Sequence, residues 1–375
     1  MLEIKRAVLG QFGLAALSGG LLAMSYAMHP LWWAAWLAPA PVIVATLRAP
    51  FASRRWLTLL AGVIGGISSF SYHLTIGGWL AALLILALVA VAWSSAIRLT
   101  VTFVERGQFL PALLAVPVTW AAIDTFLIHL SPHGSAGSIA YSQMEALPVI
   151  QVASLGGVPA ITFVVLLAGS LLGVLLARPS NMERRGLQAA SVLTVAAISA
   201  CLLFGIMRLP NLASGPGAKV ALIATDGILA RHRSLDAFWK AYGPEITRVI
   251  GPDMIVLLPE SVVRLPAAAA EQAGRSLAAY ASKNQATVVV GIIVEETGRL
   301  TNRALIAQPD GSYRWYLKQH LIPGVEAGIT PGISPFVLRY ATTGIGVAIC
   351  KDMHFPTLAR DYARKNARLM LVPRI

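Results

Sequence analysis

The chain has 375 residues, of which 56% are hydrophobic and only 13% charged. Soluble domains average about 25% charged residues, so the composition excludes a chain that is soluble throughout and indicates a membrane protein. Basic residues outnumber acidic ones 30 to 17, a net charge of +13, but no Lys/Arg cluster with interleaved aromatics is present, which argues against a nucleic-acid partner.

Residues 1–210 are apolar runs broken by short joints. Seven runs are long enough to span a bilayer, near 8–28, 31–47, 57–76, 79–104, 109–130, 158–177 and 187–207. The second carries Pro39 and Pro41 and is expected to kink. The first follows Lys5-Arg6, is too long for a signal-peptide core and precedes further spans, so it is expected to be retained.

The joints alternate in charge. Lys5 and Arg6, then Arg48, Arg54 and Arg55, then Arg98 and Arg106, then Arg178, Arg184 and Arg185 mark one side. The joints at His29-Pro30, Gly77-Gly78 and 131–157 hold no Lys or Arg. The positive-inside rule therefore predicts a cytoplasmic N-terminus and an extracytoplasmic segment after Pro210. Trp32, Trp33 and Trp79 fall at the predicted outer interface, as an aromatic belt would.

Ionisable groups in spans are costly and so are functional candidates by default. His73, Asp124 and His129 fall in the outer half of the third and fifth runs. Asp124 is read as a structural hydrogen-bond partner of a neighbouring helix. Cys201, inside the last run, is read as packing, and no disulfide with Cys350 is expected. The joint 131–157 is too long for a simple turn and contains Tyr141-Ser142-Gln143 and, from Gln151, the run Gln-Val-Ala-Ser-Leu-Gly-Gly-Val.

Residues 211–217 read as a linker. Strand-like runs at 219–224, 254–258, 287–294, 303–308 and 344–349 then alternate with helical stretches near 234–250, 267–282 and 356–366, an α/β pattern over 218–375. Three apolar runs end in chemistry. One ends in Pro259-Glu260. An aromatic strand ends at Lys318, within Lys318-x-His320-Leu321-x-Pro323 and ahead of Glu326. The run 347–349 ends at Cys350, followed by Lys351-Asp352 and a turn into Pro356. A thiol at the end of a buried strand is rigid behind and open in front, as a nucleophile needs.

Glu, Lys and Cys in this order resemble the triad of the carbon–nitrogen hydrolase (nitrilase) superfamily. The lysine motif with Glu326, and the 131–157 joint, resemble its membrane-bound branch, the apolipoprotein N-acyltransferases. The resemblance implies a four-layer α-β-β-α sandwich behind the bundle. It implies that Glu260 is the general base and that Lys318 lowers the thiol pKa and stabilises the oxyanion. It also implies that Glu326 holds the lysine and that the Lys351 N–H is a second oxyanion donor. Lys351 and Asp352 flank the nucleophile as supporting residues. His320 and His354 are expected to be structural.

The implied reaction has two steps, from a phospholipid acyl donor to a Cys350 thioester, then to the N-terminal cysteine amine of a diacylglyceryl lipoprotein. The enzyme is expected to act as a monomer in the bacterial cytoplasmic membrane, with its catalytic domain outside and without cofactor or metal. The chain departs from the branch at three places, with Ala224-Thr225-Asp226-Gly227 near a usual Gln-Gly-Asn, Pro323-Gly324-Val325-Glu326 for Pro-Phe-Gly-Glu, and Cys350-Lys351-Asp352 for Cys-Tyr-Glu. The strand at 368–373 is barely finished, and the family's last elements and a returning span are not in the sequence, so a truncated, inactive form is expected. The alternatives are a membrane-tethered amidase or nitrilase with the same triad, and a non-catalytic paralogue or transport-like bundle.

Overall fold

The fold is described from a computed structural model covering residues 2–26, 29–177, 184–210, 217–224, 232–340 and 343–374, the side chains of 2–7 and 184 excepted. Arg178, the linker residues 211–216 and the departing residues 225–227 lie outside these, as do the side chains of Lys5, Arg6 and Arg184. The chain divides into two units, 1–131 with 137–214, and 132–136 with 215–375.

The first unit is helical. Its elements are α1 (Leu2–Met24), α2 (Trp32–Leu37), α3 (Pro39–Arg48), α4 (Phe51–Glu105), α5 (Phe109–Leu130), a 3-10 turn (Ile139–Gln143), α6 (Leu147–Ile150), α7 (Ala153–Ala177) and α8 (Arg184–Arg208). Four of these are long and apolar enough to cross a membrane: α4, α5, α7 and α8, the last counted over 185–208. The 55-residue α4 is not one straight rod. Gly78 sits at φ 74°, ψ −174°, outside helical space, and divides it where the sequence places a joint. Pro39 opens α3 and separates it from α2, the expected kink in the second run.

Asp124 is buried on α5. It accepts hydrogen bonds from Ser138 Oγ at 2.6 Å and from Thr162 Oγ1, on α7, at 2.5 Å. The acidic group thus ties two helices and a loop together. Gln143 is equally occupied. It donates to the Trp32 carbonyl at 2.7 Å and accepts from Trp36 Nε1 at 2.9 Å. The Tyr-Ser-Gln motif is therefore a structural stitch, since a buried amide left unpaired would cost more than it returns. Cys201 is half-buried on α8.

The second unit contains two sheets. The first holds β1 (Lys219–Leu222), β2 (Met254–Leu257), β3 (Val263–Pro266), β4 (Thr287–Glu296), β5 (Arg299–Ala307) and β6 (Tyr313–Leu317). Their order is β1-β2-β4-β5-β6, with β3 pairing on β4. β1, β2 and β4 run parallel, and β5 and β6 are antiparallel to their neighbours. The second sheet is β7 (Phe336–Tyr340), β8 (Thr343–Val347) and β9 (Ala367–Leu371), with β8 in the middle. β8 is central as its apolar run suggests. β9, also expected to be central, has one neighbour among the described residues.

Alternation builds the layers. On β2, Ile255 and Leu257 face one core and Val256 the other. The first core lies between the sheets, where Ile255, Val289 and Ile306 meet Leu338, Ile345 and Val347. On the outer face, Phe238 and Ile246 of α9 (Leu235–Val249) and Leu277 of α10 (Ala267–Lys283) cover Val256, Val288 and Val290. α11 (Pro356–Arg364) covers the other sheet through Leu358 and Tyr362 against Ala348. A helix layer, two sheets and a helix layer result. Both faces of β2 and β4 are buried, which is why they read as unbroken apolar runs.

Candidate active site

The site is built where β2, β6 and β8 end. β8 gives way at Cys350 to a 3-10 turn, Cys350–His354, and Pro356 then opens α11. Cys350 adopts φ 46°, a left-handed conformation that a side chain-bearing residue rarely takes. Such strain persists only where the surroundings impose it, and it gathers at functional sites. Here the Cys350 N–H is held by the Pro373 carbonyl at 3.0 Å, one step beyond the Ala348–Leu371 bond of the same length.

Glu260 follows β2 in a tight turn whose next residue, Ser261, also has positive φ. The turn lies directly on β4 at Gly291. A Cβ there would stand 2.6 Å from the Glu260 Cα and from the Pro259 carbonyl oxygen, so only glycine lets the backbones meet. Lys318 leaves β6 with its N–H on the Asn302 carbonyl at 2.9 Å. Glu326 closes a loop in which Gly324 takes φ 76°, and its N–H returns to the Ile322 carbonyl at 2.9 Å.

These side chains converge. Lys318 Nζ donates to Glu260 Oε1 at 2.9 Å and to Glu326 at 2.9–3.0 Å. All three are buried, Lys318 to 1% exposure. Glu260 also acts on the ionisation of the Cys350 thiol beside it. Burial alone would lower the Lys318 pKa, but the charges and hydrogen bonds of the two carboxylates outweigh it and hold the ammonium above its ordinary range. Two carboxylates occupy two of its three N–H groups, leaving one for a developing oxyanion.

Burial, then the charge of Glu260, pushes the Cys350 thiol up to about 11. Lys318 pulls it down, in the expected direction, and so does Arg374, but neither field compensates for burial. Two glutamates already oppose the Lys318 charge. The resting thiol is protonated, so it needs a base in contact with it, and Glu260 stands there.

Sequence reasoning missed Asn302. It lies in β5, 1% exposed, and its Nδ2 donates to Glu260 Oε1 at 2.7 Å and to Glu326 Oε1 at 3.2 Å. It holds both glutamates without adding charge. The available signal was an asparagine at the start of the apolar run that ends β5, a residue type depleted in strands. Asp352 is fully buried and gathers donors. It accepts from Tyr316 Oη at 2.7 Å, from the N–H groups of Gln319 and His320 at 3.1 and 2.8 Å, and from Ile349 N–H at 3.0 Å. It thereby fixes the nucleophile's turn to the chain leaving Lys318. Lys351 turns inward, its Nζ donating to the Leu321 carbonyl at 2.8 Å. His320 stacks flat on Phe355 at 3.7 Å and bonds Asp352 through Nδ1. Burial pushes His354 down to about 4, so it is neutral at physiological pH.

Two family models match. Residues 18–171 match the apolipoprotein N-acyltransferase N-terminal domain, and residues 242–375 match carbon–nitrogen hydrolase. The chain is 26% identical to an apolipoprotein N-acyltransferase of Geobacter metallireducens, over 96% of this chain and 76% of the relative. It is 23% identical to that of Chromobacterium violaceum, over 87% of this chain and 64% of the relative. Among solved structures it resembles Saccharomyces cerevisiae Nit3, a member of branch 10 of the nitrilase superfamily. The identity is 24%, over 41% of this chain and 63% of that one, with a TM-score of 0.34.

Proposed function

The chain is an apolipoprotein N-acyltransferase-like member of the carbon–nitrogen hydrolase superfamily, and we propose that it moves a fatty acyl chain from a phospholipid, through a Cys350 thioester, to the N-terminal cysteine amine of a lipoprotein. The observation that carries this reading is the buried cluster in which Lys318 Nζ joins Glu260 and Glu326, with the Cys350 thiol beside Glu260.

In the first step Glu260 takes the thiol proton as Sγ attacks the ester carbonyl carbon. The tetrahedral oxyanion is met by the remaining N–H of Lys318 and by the Lys351 backbone N–H. The C–O bond breaks, and Glu260 returns the proton to the leaving oxygen, giving a lysophospholipid. In the second step the acceptor amine attacks the thioester carbonyl. The C–S bond breaks, and the amine's proton passes through Glu260 to Sγ.

Both substrates are lipids, and each buried methylene contributes about 0.8 kcal/mol to holding them in the bilayer. A catalytic unit carried by a membrane bundle meets them there. α1, the α2–α3 pair, the two halves of α4, and α5, α7 and α8 supply seven crossings. The basic joints lie on the cytoplasmic side of the inner membrane and the catalytic unit faces outward.

Incubation of the membrane-embedded protein with labelled phospholipid and a diacylglyceryl peptide tests the reading. It predicts an N-acylated peptide and an equal amount of lysophospholipid. Free fatty acid with no acylated peptide would mean that water resolves the thioester and that the chain is a hydrolase.

A further inference from the structure

Lys351 stands where the N-acyltransferase pattern has an aromatic residue, and its side chain takes no part in the steps above. It is 5% exposed. Its Nζ donates to the Leu321 carbonyl at 2.8 Å. The N–H on the other side of that same peptide, Ile322 N–H, donates to Glu326 Oε2 at 2.7 Å. One peptide plane is thus gripped from both edges, by the residue after the nucleophile and by the glutamate that holds Lys318.

The contacts close a circuit. From Cys350 the chain passes to Lys351, across the peptide joining Leu321 to Ile322, to Glu326, to Lys318 Nζ, to Glu260 and back to the thiol. Asp352 braces the preceding stretch through the N–H groups of Gln319 and His320. Two successive residues after the nucleophile therefore hold three successive residues after Lys318.

We propose that Lys351 is a positioning residue that clamps the peptide between Leu321 and Ile322, and so sets Lys318 and Glu326 relative to Cys350 for acyl transfer. This rests on the acyltransferase reading above. A carbonyl is a modest acceptor for a buried ammonium, so the clamp is strongest while the amine is charged. The titratable groups that face it are Lys318, Glu326 and Cys350. Burial, then the charge of Lys318, pushes the Lys351 amine down to about 8, against the pull of Glu326 and Cys350. Below pH 8 the amine is charged and the clamp holds; as pH rises through 8 the proton leaves and the clamp weakens.

The test measures the rate of Cys350 acylation by labelled phospholipid, without acceptor, in the wild type, K351M and K351R. A misplacement of about 1 Å can cost about 10²-fold in rate. K351M should therefore acylate about 10²-fold more slowly, with the phospholipid concentration for half-maximal rate unchanged. The wild-type rate should fall above pH 8. K351R keeps its charge, so it should recover most of the rate and lose that alkaline limb. K351M at the wild-type rate, or K351R with an unchanged limb, would overturn the proposal. Should K351M not fold, the K351R limb alone decides. A wild type that is never acylated would instead overturn the acyltransferase reading.

Discussion

At Cys350 burial sets what the thiol can do. With a pKa pushed up to about 11, roughly one thiol in ten thousand is ionised at pH 7. Alkylation by neutral iodoacetamide should keep rising past pH 9 and not level off near the ordinary thiol range. A plateau near pH 7 would mean a standing thiolate and no need for Glu260. Asn302 carries a second expectation. Asn302→Leu removes a donor to both glutamates, and a buried acceptor left short of a partner costs more than a neutral swap. The rate of Cys350 acylation should fall. Asn302→Asp puts a third carboxylate against two and should cost at least about 10²-fold. Wild-type rates for both variants would leave Asn302 without a role. Glu260, Lys318 and Cys350 could be found in the sequence because each ends an apolar run. Asn302 could not be assigned, because its partners come from segments far along the chain in either direction and only folding brings them together.

Among the elements, the strand ends matter more than the strands. The Glu260 turn rests on β4 at Gly291, where a Cβ would lie 2.6 Å from backbone atoms. Gly291→Ala must push the turn away. Overpacking of this kind typically costs about 1–3 kcal/mol, and the displaced Glu260 should slow Cys350 acylation. Limited proteolysis of the intact protein and the acylation rate should both respond. If neither moves, the close approach is not what sets Glu260. β2, β4 and β8 could be read from their apolar runs because both faces are buried. β3 and β7 could not. β3 is only four residues, Val263–Pro266, with an arginine and a proline, and it exists because the second half of β4 offers it a partner. β7 carries Arg339 and is defined by its pairing with β8. Breaks were easier to foresee than weak strands. Gly78 and Pro39 act through their own backbone chemistry, which needs no tertiary partner.

For the whole molecule, charge placement fixes the expected orientation. Lys240, Lys283 and Lys365 are exposed in the second unit. A membrane-impermeant amine reagent should modify them in intact spheroplasts. Modification only after lysis would reverse the topology and remove the unit from the lipoprotein side. The alternation of bare and basic joints is legible because translocation reads local charge. The convergence of three strand ends on one cluster is legible only in order, not in distance. The claim on which everything else depends is that Cys350 carries the acyl group. The direct measurement is mass spectrometry of the Cys350 peptide after exposure to labelled phospholipid. The account predicts a base-labile acyl group on Cys350, matched by lysophospholipid and absent from Cys350→Ala. Acyl transfer that persists in Cys350→Ala, or a peptide acceptor that is acylated while Cys350 never is, would contradict it.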